Sequence, residues 1–306
     1  MKKAYKYGIE LETVMQRFEY DRVIEAIRGQ NLPYIFTGDS SISTGNDEEG
    51  VEIIASRPLH YTELERSMKA LSKILIKHGV QVNQTTGFHV HMSNKRFFNS
   101  KNLKKIVFTF ASIEDVLMAT QPRSRYNNTY CQRLLSKYIN DYGRELPKAK
   151  EALITELGRT GRYYTLNLNA MQKHGTIECR LHAGTIDSTK VLAWVDLLEA
   201  IYTYSLTKYN HSNVLELFNM GISDEKISKV FGLLGISEKL VTHFTNRIQR
   251  FGFEKLKRQQ EGAIQAMRIA PEMLKLKKKW EVMQNDFNSV SREYANVTEV
   301  LRGSSF

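Results

Sequence analysis

Four short stretches of this chain alternate between apolar and ionisable residues, and that pattern limits the possible fold more than any other feature. They are Glu10 and Glu12 within YKYGIELE, Glu52 between Val51 and Ile53, His89 and His91 around Val90, and Glu178 and Arg180 interleaved with Ile177, Cys179 and Leu181. A period of two belongs to a β-strand, whose successive side chains point to opposite faces. If the four strands share one antiparallel sheet, its apolar face takes the helices. The other face then gathers four carboxylates, two imidazoles and a guanidinium, which is a cavity lined for catalysis.

The segments between these strands carry turn and helix signals. Residues 34–55 read as a hairpin whose turn is the polar run Thr44–Gly50. A helix follows: Thr62 with Glu65 has the capping-box spacing, Leu64, Met68, Leu71 and Leu75 keep helical spacing, and Gly79 is a stop. Val82, Phe88, Val90 and Met92 form a strand pattern around a Thr-Thr-Gly turn. Ser100 can cap a helix reaching Thr120 ahead of Pro122, and a second helix is expected over Lys148–Leu157. RYYTLNLNA and TIECRLHAG, joined through Lys173, His174 and Gly175, predict another hairpin. Asp187 and Ser188 can start an apolar helix running to Tyr209.

Beyond Asn210 the composition shifts, and from Ser223 nearly everything reads as helix, with Pro271 in the first turn of a last helix that ends before Gly303. The predicted class is α+β: a catalytic domain over residues 1–210 and an α-helical region over 211–306. In the last helix the stripe Leu274, Leu276, Trp280, Met283 and Phe287 is interrupted by Lys277, Lys278 and Lys279. It predicts packing onto the core or onto a partner copy in a homo-oligomer, in preference to a membrane.

No apolar run approaches the roughly 18 residues of a membrane span, and the start MKKAYKYGIELE turns acidic where a signal peptide would be apolar. A cytoplasmic location is therefore expected, with Cys131 and Cys179 as reduced thiols. Lys and Arg number 44 against 33 Asp and Glu, leaving a net charge of +11. Such a surplus suits a polyanionic partner, nucleic acid or nucleotide, without choosing between them. Neither a P-loop nor a Rossmann fingerprint is present, so an ATP site would have to be built differently.

Crowded carboxylates repel one another unless cations neutralise them, and oxygen-rich clusters favour hard divalent ions such as Mg²⁺. Arg180 beside Glu178 suits a phosphate clamp, because its planar fork can neutralise charge on a transferring phosphoryl group. Each motif has a plainer reading. An ExE strand is usually a solvated face, two histidines arise by chance, and Glu178 and Arg180 could each be a cross-strand ion-pair partner of little energetic value. The coincidence of all four carries the argument. Two rival functions stay open. A metal-dependent hydrolase would hold zinc on His89 and His91. A nucleic-acid-binding protein would use residues 223–250, two expected helices around a glycine turn.

In order along the chain, GIELE, Asp39-Ser40 before GVEIIASRPL, TGFHVHMS, RSRYNNTYC, RYYTLNLNA and GTIECRLHAGTID resemble the putative amidoligase family. These are carboxylate-amine ligases similar in fold to glutamine synthetase and glutamate-cysteine ligase. The resemblance covers about residues 5–205. One departure is Thr86 before Gly87, where many members have cysteine.

The resemblance implies a glutamine synthetase-like antiparallel sheet whose concave face holds ATP and two or three Mg²⁺ or Mn²⁺ ions. It implies Glu10 and Glu12 as metal ligands, Glu52 as a metal or amine-side carboxylate, and Glu178 as a metal ligand at the phosphate end. His89 or His91 would add a ligand or hold the substrate carboxylate, and Arg180 would stabilise the transferring phosphate. Arg123, Arg125 and Arg162 are weaker candidates for phosphate or carboxylate contacts, since loop arginines are mostly solvated. Asp39 reads equally well as a turn residue. The implied reaction activates a carboxylate, such as glutamate or a glutamyl peptide, as an acyl phosphate. An amine then displaces phosphate to form an amide, with ADP and phosphate as products. Arg180, Glu52 and His91 are the expected catalytic residues, with Glu52 removing the proton from the attacking ammonium.

Overall fold

The computed structural model describes residues 5–134 and 162–254, with the isolated positions 257, 258 and 283. The expected helix over 148–157 and the last helix with its apolar stripe lie outside these, apart from Met283. The chain divides into two compact units, Met1–Leu256 and Lys257–Phe306.

The first unit is built on one open antiparallel sheet of six strands: β1 (Lys6–Gln16), β2 (Tyr34–Gly38), β3 (Glu48–Ala55), β4 (Gly87–Ser93), β5 (Leu166–Asn167) and β6 (Ile177–Ala183), in spatial order β2-β3-β1-β4-β6-β5. All four alternating stretches belong to it, on β1, β3, β4 and β6. One face is apolar, with Tyr7, Ile9, Leu11, Val51, Ile53, Phe88, Val90, Met92, Ile177 and Cys179 all fully buried. They share one core with α1 (Tyr20–Gly29), α2 (Tyr61–Lys77), α3 (Ser100–Ala119) and α5 (Ser188–Thr207). The sheet is antiparallel and open; nothing in its strand order by itself makes it the glutamine synthetase type.

Helix starts fall slightly before the expected ones. α2 begins at Tyr61 with His60 as its cap, and His60 makes no side-chain capping bond, so the Thr62–Glu65 pair lies inside the first turn. At α3 the cap is Asn99, whose side chain accepts from the backbone N–H groups of Lys101 and Asn102. Asp187 caps α5 as expected. The predicted hairpin at residues 162–184 is modified: β5 is only two residues long, and α4 (Asn169–His174) replaces the turn before Gly175 in the left-handed region. Asn167 Oδ1 accepts from the N–H of Asn169, which turns the chain out of the strand and into that helix.

Past residue 210 come α6 (His211–Asn219), α7 (Asp224–Leu234) and α8 (Glu238–Phe251). The pair over 223–250 forms as read, around a left-handed Gly235. Ile227, Val230 and Phe231 of α7 and Phe244 and Ile248 of α8 are buried in the same core as the sheet. Lys226 is buried as well, with Nζ donating to Asp115 Oδ2 of α3 at 2.7 Å. Among the described residues, no helix is long and apolar enough to cross a membrane.

Cys179 lies on the apolar face, fully buried, and burial pushes its thiol well above the ordinary range. A thiol there reacts only when the fold opens. Native protein should therefore label with an aromatic disulfide orders of magnitude more slowly than protein in urea. Rapid native labelling at this position would mean that the two faces of β6 are reversed.

Candidate active site

The opposite face of the sheet carries the ionisable residues, and the register brings them side by side. Glu10 stands opposite His89, Glu12 opposite Glu52, and His91 opposite Glu178. Directly opposed residues on one face have Cβ atoms about 5 Å apart, so strand pairing alone assembles the cluster. Two glycines make room for it. A Cβ on Gly87 would lie 2.9 Å from His89 Nε2 and 3.2 Å from Glu12 Oε2, and one on Gly8 would lie 3.3 Å from the Cβ of His91. The Gly87 N–H also donates to Glu12 Oε2 at 2.5 Å, locking that carboxylate over β4.

The cluster lines a cavity of about 610 Å³ with Asp39, Arg162, Tyr163, Lys173 and His174 around it. That volume suits a small-molecule ligand. Glu10 is central: Oε2 is 3.1 Å from His89 Nδ1 and Oε1 is 3.0 Å from His91 Nε2. Glu12 Oε1 lies 3.3 Å from His89 Nε2. Glu178 is buried; its Oε2 accepts from the side-chain amide of Asn167 at 2.6 Å and its Oε1 pairs with Arg180 Nη1. His91 Nδ1 is 2.9 Å from Thr176 Oγ1.

The electrostatics separate the two acids at the centre. Burial would raise the pKa of Glu10, but bonds to His89 and His91 and their charge hold it well below the carboxylate range. Glu52 goes the other way: burial first, then the charge of Glu10, with Glu12 and Asp39 adding, pushes it to about 8. It therefore tends to hold a proton at neutral pH, one that a nearby cation would displace. Burial pulls His91 down, yet Glu10 and Glu178 outweigh it and the net shift is upward. Arg180 is likewise held charged by Glu178, against its own burial.

Of the residues expected at a site, Glu10, Glu12, Glu52, His89, His91, Glu178 and Arg180 all line this one cavity, together with Arg125 and Arg162. Arg123 does not; it is exposed on the short 3-10 turn after Pro122. Arg162 is exposed at the rim, 5.2 Å over the Tyr163 ring. Arg125 is buried, and its guanidinium donates to the carbonyls of Arg180 and Leu181. Asp39 both caps a turn, accepting from the Ser41 N–H at 2.8 Å, and lines the cavity. Sequence reasoning missed Asn167, Lys173 and His174. The alternation of RYYTLNLNA opposite Glu178 was the available signal for Asn167; the other two sit on α4, where a turn was expected.

Two sets of side chains bring one ligand atom each within 4.8 Å of the others: Glu10, Glu52 and His89, and Glu10, His91 and Glu178. Among the described residues Glu10 belongs to both, while Glu12, whose Oε2 accepts from the Gly87 N–H, belongs to neither. The buried His91 Nε2 lies between two carboxylates, 3.0 Å from Glu10 Oε1 and 3.9 Å from Glu178 Oε2. A nitrogen set between two carboxylate oxygens is a donor set that a divalent cation fits. The carboxylate oxygens suit Mg²⁺ or Mn²⁺, and the imidazole nitrogens suit softer divalent ions such as Zn²⁺.

A family model described as "Putative amidoligase enzyme" matches residues 3–202. No curated protein matches the chain.

Proposed function

The chain belongs to that amidoligase family, and from this premise we propose that it is an ATP-dependent ligase joining a carboxylate to an amine through an acyl phosphate. The observation that carries the reading is the meeting of Glu10, Glu52, Glu178, His89, His91 and Arg180 in a single cavity. A binding module has no use for so many opposed charges at close quarters. Phosphoryl transfer does, because it depends on positioning and charge neutralisation more than on a covalent nucleophile.

In this reading Glu10, with His89 and Glu52 on one side and His91 and Glu178 on the other, holds divalent cations. Such ions, when bound, neutralise the phosphate oxygens of ATP and align them. Arg180 faces the γ-phosphoryl group. An oxygen of the substrate carboxylate forms a new bond to that phosphorus, and the bond to the ADP oxygen breaks. The amine nitrogen then bonds to the acyl carbon, and the carbon–oxygen bond to phosphate breaks. Glu52, deprotonated and beside other acids, takes the proton lost by the attacking ammonium. The surplus positive charge of the chain favours arrival of anionic substrates.

Hydroxylamine tests this directly. With ATP, Mg²⁺ or Mn²⁺ and a panel of carboxylates including glutamate, glutamyl peptides and a cell extract, it should trap the acyl phosphate as a hydroxamate. ADP and phosphate should appear in equal amounts. AMP with pyrophosphate would replace acyl-phosphate chemistry by adenylate chemistry. Hydrolysis that needs zinc and ignores ATP would favour the hydrolase built on His89 and His91.

A further inference from the structure

Arg180 does not sit on a regular strand. Between β4 and β6 the register shifts: Val90 pairs with Cys179 but Phe88 pairs with His182, so one extra residue of β6 is inserted opposite His89. A bulge of this kind bends its strand and re-aims a side chain. Its result is visible in burial. Glu178 and Arg180 line the cavity, whereas Leu181 belongs to the core and the next residue, His182, packs on core rings as well, so two consecutive side chains turn to the same side. His182 packs edge-on to Phe88 at 5.5 Å and against Trp194 at 5.1 Å, anchoring the return of the chain to the core.

The bulged carbonyls are held by one side chain. Arg125 Nη2 donates to the Arg180 carbonyl at 2.6 Å and Nε to the Leu181 carbonyl at 3.3 Å. On its other side Arg180 donates its N–H to the Thr165 carbonyl at 2.9 Å. Arg125 is only 2 % exposed. A guanidinium is costly to bury, and here two of its nitrogens are satisfied by main-chain carbonyls of the bulge.

We propose that Arg125 is a positioning residue: it clamps the β6 bulge and thereby aims the Arg180 guanidinium into the cavity, without contacting the nucleotide phosphates. The part of this that concerns Arg180 in catalysis rests on the ligase reading; the clamp itself does not. Lysine at position 125 keeps the charge but has no planar fork with which to span both carbonyls.

The test compares wild type with Arg125→Lys and, should either substitution fail to fold, relies on the other, Arg125→Gln. Amide hydrogen exchange across residues 176–184 should accelerate at least tenfold in the variant, with β1 and β3 unchanged. Unchanged exchange there overturns the clamp whatever the enzyme's reaction proves to be. In hydroxamate formation, Arg125→Lys should lower turnover more than tenfold with the KM for ATP within about threefold of wild type. Combined with Arg180→Lys it should add almost nothing, because both act through one guanidinium. A large rise in the KM for ATP, or multiplicative losses in the double variant, would make Arg125 a direct phosphate contact and overturn the proposal. A wild type that forms no hydroxamate refutes the ligase reading alone and leaves the exchange result to decide the clamp.

Discussion

Glu10→Gln should abolish metal-dependent nucleotide binding while leaving the fold intact. Glu10 is the one carboxylate common to both candidate cation sets, so the substitution removes a ligand from each at once. The amide keeps the shape of the side chain but offers neutral donors and acceptors to His89 and His91. Metal affinity should fall by more than about 100-fold, beyond what loss of a supporting residue alone costs. Mg-ATP or Mn-ATP should raise the melting temperature of wild type by several degrees over ATP with chelator, by ligand linkage, and the variant should show no such difference. A second readout is electrostatic. After burial, the charge of Glu10 is the largest cause of the raised pKa of Glu52, so Glu52 should titrate well below about 8 in the variant. Carboxyl NMR would follow that shift without any substrate. A wild-type nucleotide response in the variant would remove Glu10 from the site.

Arg180→Lys should lower turnover by about 10² to 10³-fold, the scale seen when a single preorganised donor to a developing negative charge is lost. Charge is conserved, so the effect isolates geometry. The Arg180 Nη1 edge is held against Glu178 Oε1, with His89 Nδ1 at 3.4 Å and the Tyr130 carbonyl at 3.4 Å from Nε. A lysine ammonium cannot reproduce three such contacts and still present a flat pair of donors outward. Because Arg180 is proposed to meet charge that develops during transfer, kcat should drop with little change in the KM for ATP. Equal melting temperatures for the two proteins would show that folding is not the cause. Turnover near wild type would refute the role given to Arg180.

The sheet and the identity of its two faces were legible from the sequence because one face is buried and the other is not. Ile9 and Leu11 against Glu10 and Glu12, or Cys179 against Glu178, leave only one workable orientation. The convergence of the four stretches was legible too, but only as a conditional, since strand order is a non-local property. What remained hidden has causes that alternation cannot express. The inserted residue in β6 breaks the period at Leu181 and His182, so the burial of His182 was invisible. Arg125 looked like any loop arginine, because its partners are main-chain carbonyls some 55 residues later. α4 replaced a turn because Asn167 bonds to the chain two residues on, a choice made by one side chain. The capping shift at Asn99 is of the same kind.

The central position of β1 also bears on which genetic changes this protein can survive. β1 pairs with β3 along one edge and β4 along the other, over residues 6–16. Deleting one codon inside it would carry Glu10 and Glu12 toward the oily side and Ile9 and Leu11 toward the acids, undoing core and site in a single step. An in-frame deletion at Thr44–Asn46, in the exposed connection between β2 and β3, changes neither register. Length variants arising in a population should therefore accumulate in that connection and be purged from β1.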